Sequence, residues 1–290
     1  MNKKHIQIVQ PRNWLICGIP GIGKTTVAAS AIKFFYEQLG KPGYVFMMDQ
    51  PGKDQPFLDL GVPGGWVMDG DMAYQFVYAD EEQQQVMCTI EYFFDLSPAT
   101  LGSGTKKSAY ERFQERLMSM PWTDYSIVVL DSLSSFRDAV IMVQKYKFNP
   151  LSNPKQEQNL TWFAAAGSAI VSDVMTTLCW APVHFVCLAH TTKDELGRMT
   201  RQVKSGNTTI ERKVFPSLDG AGVYGVSAPG QLAFDIGRAF SEVYYMSMYQ
   251  GQDGQSYRMM ATDQSEGFIA QTHLNLPTLV EPAFEQLFKY

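Results

Sequence analysis

Residues Gly18-Ile19-Pro20-Gly21-Ile22-Gly23-Lys24-Thr25 spell G-x-x-x-x-G-K-T, a pattern that has meaning only between the end of a buried strand and the start of a helix. Both flanks are present. Residues 14–17 form a short apolar run, and downstream Val27, Ala28, Ala31, Ile32, Phe35 and Leu39 recur at helical spacing until Gly40. A turn at Lys41-Pro42-Gly43 leads to a second apolar run over 44–48, which ends at Asp49. Strand, glycine loop, helix, turn and strand make a βαβ unit.

The loop's chemistry follows from its residue types. Glycines let backbone N–H groups converge on phosphate oxygens, and the positive end of the following helix faces the same anion. ATP with Mg2+ is the ligand this implies, cradled by residues 18–26 with Thr26 as the last of them. Lys24 would reach the β- and γ-phosphates, and the Thr25 hydroxyl would ligate the metal.

The remaining sequence supports one α/β domain over residues 1–290, with a mainly parallel central sheet flanked by helices. Hydrophobic residues make up 45% and charged residues 18%, which suits a large core and excludes global disorder. A less regular insertion covers about 50–104, with short strands expected at 66–68 and 75–78 and a helix at 82–94. Helices are expected at 107–120, 133–146 and 160–180. The run 125–130 ends in Asp131 and reads as a strand buried on both faces. A fourth strand is expected at 183–189, ending at His190. Residues 191–230 carry no clear element; strands follow at 241–248 and 257–262, and the tail adds one more.

Three residues near the predicted strand ends extend the site. Asp131 is the natural second metal ligand, where a carboxylate can sit beside Thr25. Asp49 either orients the attacking water or starts the turn at Pro51-Gly52. His190 either senses the γ-phosphate or is a satisfied strand-end histidine.

Other classes are excluded by composition. A net charge of −5 and a pI near 5.4 rule out a polycation, so nucleic-acid contact must come from a local patch. Cys17, Cys88, Cys179 and Cys187 form no C-x-x-C pair and read as thiols in a reducing cytoplasm. No run of about 18 apolar residues predicts a membrane span, and residues 1–10 lack a signal-peptide core.

The segments Gly18 through Thr26, Ile127-Val128-Val129-Leu130-Asp131-Ser132 and Val186-Cys187-Leu188-Ala189-His190 resemble the RecA-core ATPases of bacteriophages, and within them the single-strand annealing and recombination group. Phe215-Pro216-Ser217-Leu218-Asp219-Gly220 and Phe234-Asp235 are similar to that group's region after the histidine, so the likeness spans roughly residues 12–262. It implies a RecA-like fold and ATP hydrolysis with Lys24, Thr25 and Asp131 as phosphate and magnesium residues. His190 is the implied strand-end sensor. It also implies single-stranded DNA as partner, a homo-oligomer in ring or filament form, a single-strand-binding protein as accessory, and the cytoplasm of an infected bacterial host. Two positions depart from the pattern. Pro51 stands where RecA relatives place a catalytic glutamate, and Ala270-Gln271-Thr272-His273 replaces a Lys-x-Arg-like pair that would reach a neighbouring subunit.

DNA contact has its own sequence signal. Residues 191–220 carry six cations against four anions, a net +2 in a chain of −5. Arg198, Arg201, Lys204, Arg212 and Lys213 are the candidate phosphate contacts on this stretch, read as a mobile polar loop within 191–230. A second candidate loop interleaves Lys145, Tyr146, Lys147 and Phe148. The competing functions are a P-loop DNA motor of packaging or helicase type, and a nucleotide-gated scaffold with weak hydrolysis.

Overall fold

Side chains of Asn13–Gly18 (β1) alternate between two cores. Trp14 and Ile16 are buried on one face of the sheet, and Leu15 and Cys17 on the other. A strand covered on both faces has no polar side to show, which is why it reads as an unbroken apolar run. The computed structural model describes residues 10–50, 52–60, 65–78, 84–94, 107–145, 161–193, 200–205, 208–213, 224–228, 232–251, 253–263 and 270–288.

From β1 the chain enters helix α1 (Lys24–Leu39), which ends at Gly40, and returns as β2 (Gly43–Met47). An antiparallel meander follows: β3 (Trp66–Asp69), β4 (Met72–Tyr78) and β5 (Gln84–Tyr92). Helix α2 (Ala109–Ser119) starts at a capping box between Ser108 and Glu111. Next come β6 (Ile127–Asp131), α3 (Leu133–Val143), α4 (Thr161–Ala169) and a π-helical continuation, Ile170–Leu178. The chain then forms β7 (His184–Lys193), β8 (Thr200–Ser205), β9 (Thr208–Lys213) and β10 (Tyr224–Val226). It closes with β11 (Glu242–Gln250), β12 (Ser256–Ala261), β13 (Leu279–Val280) and a 3-10 turn, Phe284–Phe288.

Among the described residues the main sheet runs β13-β12-β11-β1-β7-β6-β2-β5-β4-β3, with β10 paired to the far end of β7. The six strands from β11 to β5 are parallel to their neighbours, and the antiparallel strands sit at the margins. β1 and β2 therefore do not touch; β7 and β6 lie between them. Helix α1 and the 3-10 turn cover one face, where Trp14, Phe35 and Phe284 meet; helices α2, α3 and α4 cover the other, with Phe46, Phe113 and Phe136. This is the α/β architecture with a mainly parallel sheet flanked by helices that the sequence predicts, and it brings the C-terminal ends of β1, β2, β6 and β7 to one edge.

Two expectations are overturned. The helix expected at 82–94 is the strand β5, gripped by β2 on one side and β4 on the other. Its Val86, Thr89 and Ile90 suit a pleated surface, and pairing on both sides overrides the helical spacing of its apolar residues. The stretch 191–230 is not without structure: β7 continues past His190 to Lys193 because β10 pairs with residues 191–193, and β8 and β9 form a separate hairpin. Such partners lie too far along the chain for a local pattern to show them.

The cysteines are free thiols, with Cys17, Cys88 and Cys187 buried. No described helix is long and apolar enough to cross a membrane.

Candidate functional site

The loop after β1 turns tightly because its glycines permit it. Gly23 has φ +97°, a conformation that side chains disfavour. At Gly18 a Cβ would lie 2.8 Å from the Met246 carbonyl oxygen of the neighbouring strand, so only glycine lets the loop start this close to β11. Ile22 is buried and anchors the loop, while Ile19, Pro20, Gly21 and Thr26 are exposed along its outer surface.

Lys24 is buried rather than solvated, at 6% exposure. Its ammonium donates to the carbonyl oxygens of Gly18 (3.0 Å) and Ile19 (2.9 Å) and to Nδ1 of His190 (3.2 Å). Burial lowers the lysine's pKa to about 8, with the Asp131 carboxylate pulling it back up. Burial, helped by the same ammonium, lowers the pKa of His190, which fits a neutral ring accepting at Nδ1.

Thr25 donates from Oγ1 to Oδ2 of Asp131 at 2.9 Å. Asp131 is buried, and burial raises its pKa to about 6, against the lowering effect of the Thr25 hydrogen bond. The expected pair of metal residues is thus assembled across 106 positions of sequence. Among the described residues no trio of acidic, histidine or cysteine groups could hold a metal by itself. One hydroxyl and one carboxylate fit Mg2+, which takes few protein ligands and completes its shell with phosphate oxygens and water.

Asp49 stands just beyond β2 and accepts from the Ser135 hydroxyl on one oxygen, with the Lys53 ammonium 3.4 Å from the other. Both partners orient it. Helix α3 begins directly after Asp131: Ser132 caps it, and Ser134 Oγ accepts from the backbone N–H of His190 at 3.2 Å. His190 in turn receives, at its carbonyl, the Ser227 N–H beside β10 (2.8 Å), and Arg137 donates to the Ser227 hydroxyl at 2.6 Å. A cavity of about 860 Å3 opens on this side, lined by Pro20, Asp49, Lys53, Ser134, Ser135 and His190 among others.

The structure thus brings together every sequence-predicted member of the nucleotide site: residues 18–26, Asp49, Asp131 and His190. The DNA candidates belong to other segments. Arg201, Lys204, Arg212 and Lys213 lie on the β8–β9 hairpin, and Arg198 lies outside the described residues. Lys145 lies two residues past the end of α3, with its ammonium 5.6 Å from the centre of the Trp162 ring; Tyr146, Lys147 and Phe148 lie outside the described residues. The segment 270–273 is tied to its own chain, since Gln271 bridges Val243 and Thr272 donates to the buried carboxylate of Glu242 at 2.6 Å.

Sequence reasoning missed Arg258. A Cβ on Gly23 would lie 2.7 Å from its guanidinium, which therefore rests directly on the P-loop. Only the pairing of β12 with β11, and of β11 with β1, makes that contact visible.

No family model matches this chain, and no curated protein does. Solved structures similar to it include a KaiC-like protein from the hyperthermophilic archaeon Pyrococcus horikoshii OT3, with 12% identity over 86% of this chain and 77% of that one, at a TM-score of 0.40. Another is the flagellar accessory protein FlaH from Methanocaldococcus jannaschii, with 10% identity over 95% of this chain and 88% of that one, at a TM-score of 0.41. The fold assignment itself stands on the P-loop and the strand order.

Proposed function

We propose that this chain is a magnesium-dependent ATPase that works on single-stranded DNA in phage recombination or strand annealing. The observation that carries the ATPase part is the Thr25–Asp131 hydrogen bond beside the buried Lys24 ammonium. Backbone N–H groups of residues 21–25 and Lys24 would hold the β- and γ-phosphates. Thr25 and Asp131 would hold Mg2+, which when bound neutralises charge on the phosphate oxygens. A water positioned by Asp49 attacks the γ-phosphorus, the bond to the bridging oxygen breaks, and ADP and phosphate leave. His190, hydrogen-bonded to Lys24, would register the γ-phosphate and pass its presence along β7 to residues 191–193.

The DNA part is supported by the charge excess over residues 191–220 and by the hairpin that holds much of it. A nucleotide-gated scaffold is the second reading. It is favoured by Pro51 in the place of a glutamate and by the engagement of both Asp49 oxygens with Ser135 and Lys53.

Phosphate release measured with and without single-stranded DNA separates these readings. An ATPase acting on DNA is stimulated by it. A scaffold binds ATP and turns over slowly in both conditions. Absence of ATP binding defeats both.

A further inference from the structure

The strand order gives the nucleotide site two unlike sides. β7 and β6, carrying His190 and Asp131, lie on one side of β1; β11 and then β12 lie on the other. Besides its loop carbonyls, Lys24 contacts His190 of β7, and Thr25 contacts Asp131 of β6, which puts the γ-phosphate and metal on that side. A nucleotide seated on this loop must then run its α-phosphate and nucleoside toward β11 and β12.

Arg258 occupies that side. It sits on β12 opposite Met248 of β11, and its guanidinium lies against Gly23 in the middle of the phosphate-binding turn. No acidic side chain among the described residues is hydrogen-bonded or ion-paired to it. Gly23 is suited to this contact twice over, since its φ of +97° disfavours a side chain and any Cβ would strike the guanidinium. A planar fork of N–H donors held at the edge of a ring of backbone N–H groups is built to take phosphate oxygens.

We infer that Arg258 is a ligand of the nucleoside-diphosphate part of the bound nucleotide, contacting the phosphates shared by ATP and ADP. The inference rests on the nucleotide site proposed above and adds to it a cation from the opposite margin of the sheet. It differs from Lys24 in kind: Lys24 faces the γ side and Arg258 faces the nucleoside side. The guanidinium therefore contributes affinity without telling substrate from product.

Calorimetric titration of wild type, Arg258→Ala and Arg258→Lys with ATP and with ADP tests this, with circular dichroism confirming each fold. A charge-assisted contact at an exposed position is worth roughly a tenfold change in affinity. Arg258→Ala should weaken ATP and ADP binding by about that factor each and leave their ratio unchanged. Arg258→Lys should recover part of the loss, because the charge stays while the fork is lost. A folded Arg258→Ala protein that binds ADP as tightly as wild type overturns the inference while leaving the nucleotide site intact. Loss of ATP binding with ADP binding preserved also overturns it, by placing Arg258 at the γ-phosphate. If the wild-type protein binds neither nucleotide, the site itself is wrong and the inference goes with it.

Discussion

Oγ1 of Thr25, in the first turn of α1, donates a 2.9 Å hydrogen bond to Oδ2 of Asp131, the last residue of β6. β1, which leads through the loop into α1, and β6 are separated by β7, so the contact exists only because the parallel sheet sets its strand ends at one edge. It ties the phosphate-binding loop to the carboxylate and leaves a hydroxyl and a carboxylate facing one point.

Lys24→Ala should abolish measurable ATP binding. The lysine is the loop's own cation, and charge-assisted contacts to phosphate are each worth roughly 1.5–3 kcal/mol. Because Lys24 is buried and satisfies His190 Nδ1, the substitution should also cost about 1–3 kcal/mol of stability by leaving partners unpaired. Calorimetry with ATP, followed by a urea titration of the same protein, reads both effects. Undiminished ATP affinity in a folded Lys24→Ala protein would defeat the site.

Asp131→Asn should separate binding from chemistry. Some ATP affinity remains, but the gain that Mg2+ brings disappears and turnover falls by more than tenfold, since the metal loses its carboxylate. Chelation of Mg2+ from the wild-type protein should reproduce that pattern. Asp49→Asn should lower turnover with little change in ATP affinity if the carboxylate orients water; wild-type turnover in that variant returns Asp49 to a structural role beside Ser135 and Lys53.

How legible this was from the sequence follows from distance along the chain. The loop, α1 and β2 are contiguous, and β1 and β6 announce themselves because strands buried on both faces carry no polar alternation. Asp131 and His190 were readable as the polar residues that end or follow such runs. β5 was not, because Met87, Ile90 and Phe94 satisfy a helical spacing as well as a strand does, and only β2 and β4 decide between them. Arg258 was invisible for a stronger reason: its importance comes from packing against Gly23, through two strand pairings that no local pattern records.

Acid sensitivity should centre on His184. Its Nδ1 accepts from the backbone N–H of Arg12 at 3.1 Å, and its ring stacks on Phe35 at 4.3 Å between centroids. Burial, with the nearby Arg12 charge, lowers its pKa from 6.5 to about 4. The unfolded chain therefore binds a proton that the folded chain refuses. This contribution to stability is complete above pH 6.5 and is lost as pH falls toward 4, by up to about 1.4 kcal/mol per pH unit. His184→Gln keeps an acceptor for Arg12 and removes the titration. Urea denaturation at pH 7 and pH 5 should show a drop about 2 kcal/mol smaller in the variant than in wild type. Equal drops in the two proteins would show that His184 titrates normally.

The β8–β9 hairpin gives the DNA proposal its sharpest test. Arg201 and Arg212 are register partners on the two strands, whereas Lys204 is paired with Thr209. Binding through such a pair is driven by counterion release, with each single-strand phosphate contact adding about −0.7 to the slope of log affinity against log salt. Changing Arg201 and Arg212 together to alanine should flatten that slope by about 1.4 and weaken binding alike for all base sequences. Changing Lys204 alone should flatten it by no more than about 0.7. Filter binding of single-stranded DNA at several salt concentrations, with ATP present, measures both. If the double variant keeps the wild-type affinity and slope, the hairpin is not the DNA contact, and the proposed ATPase is left without an assigned partner.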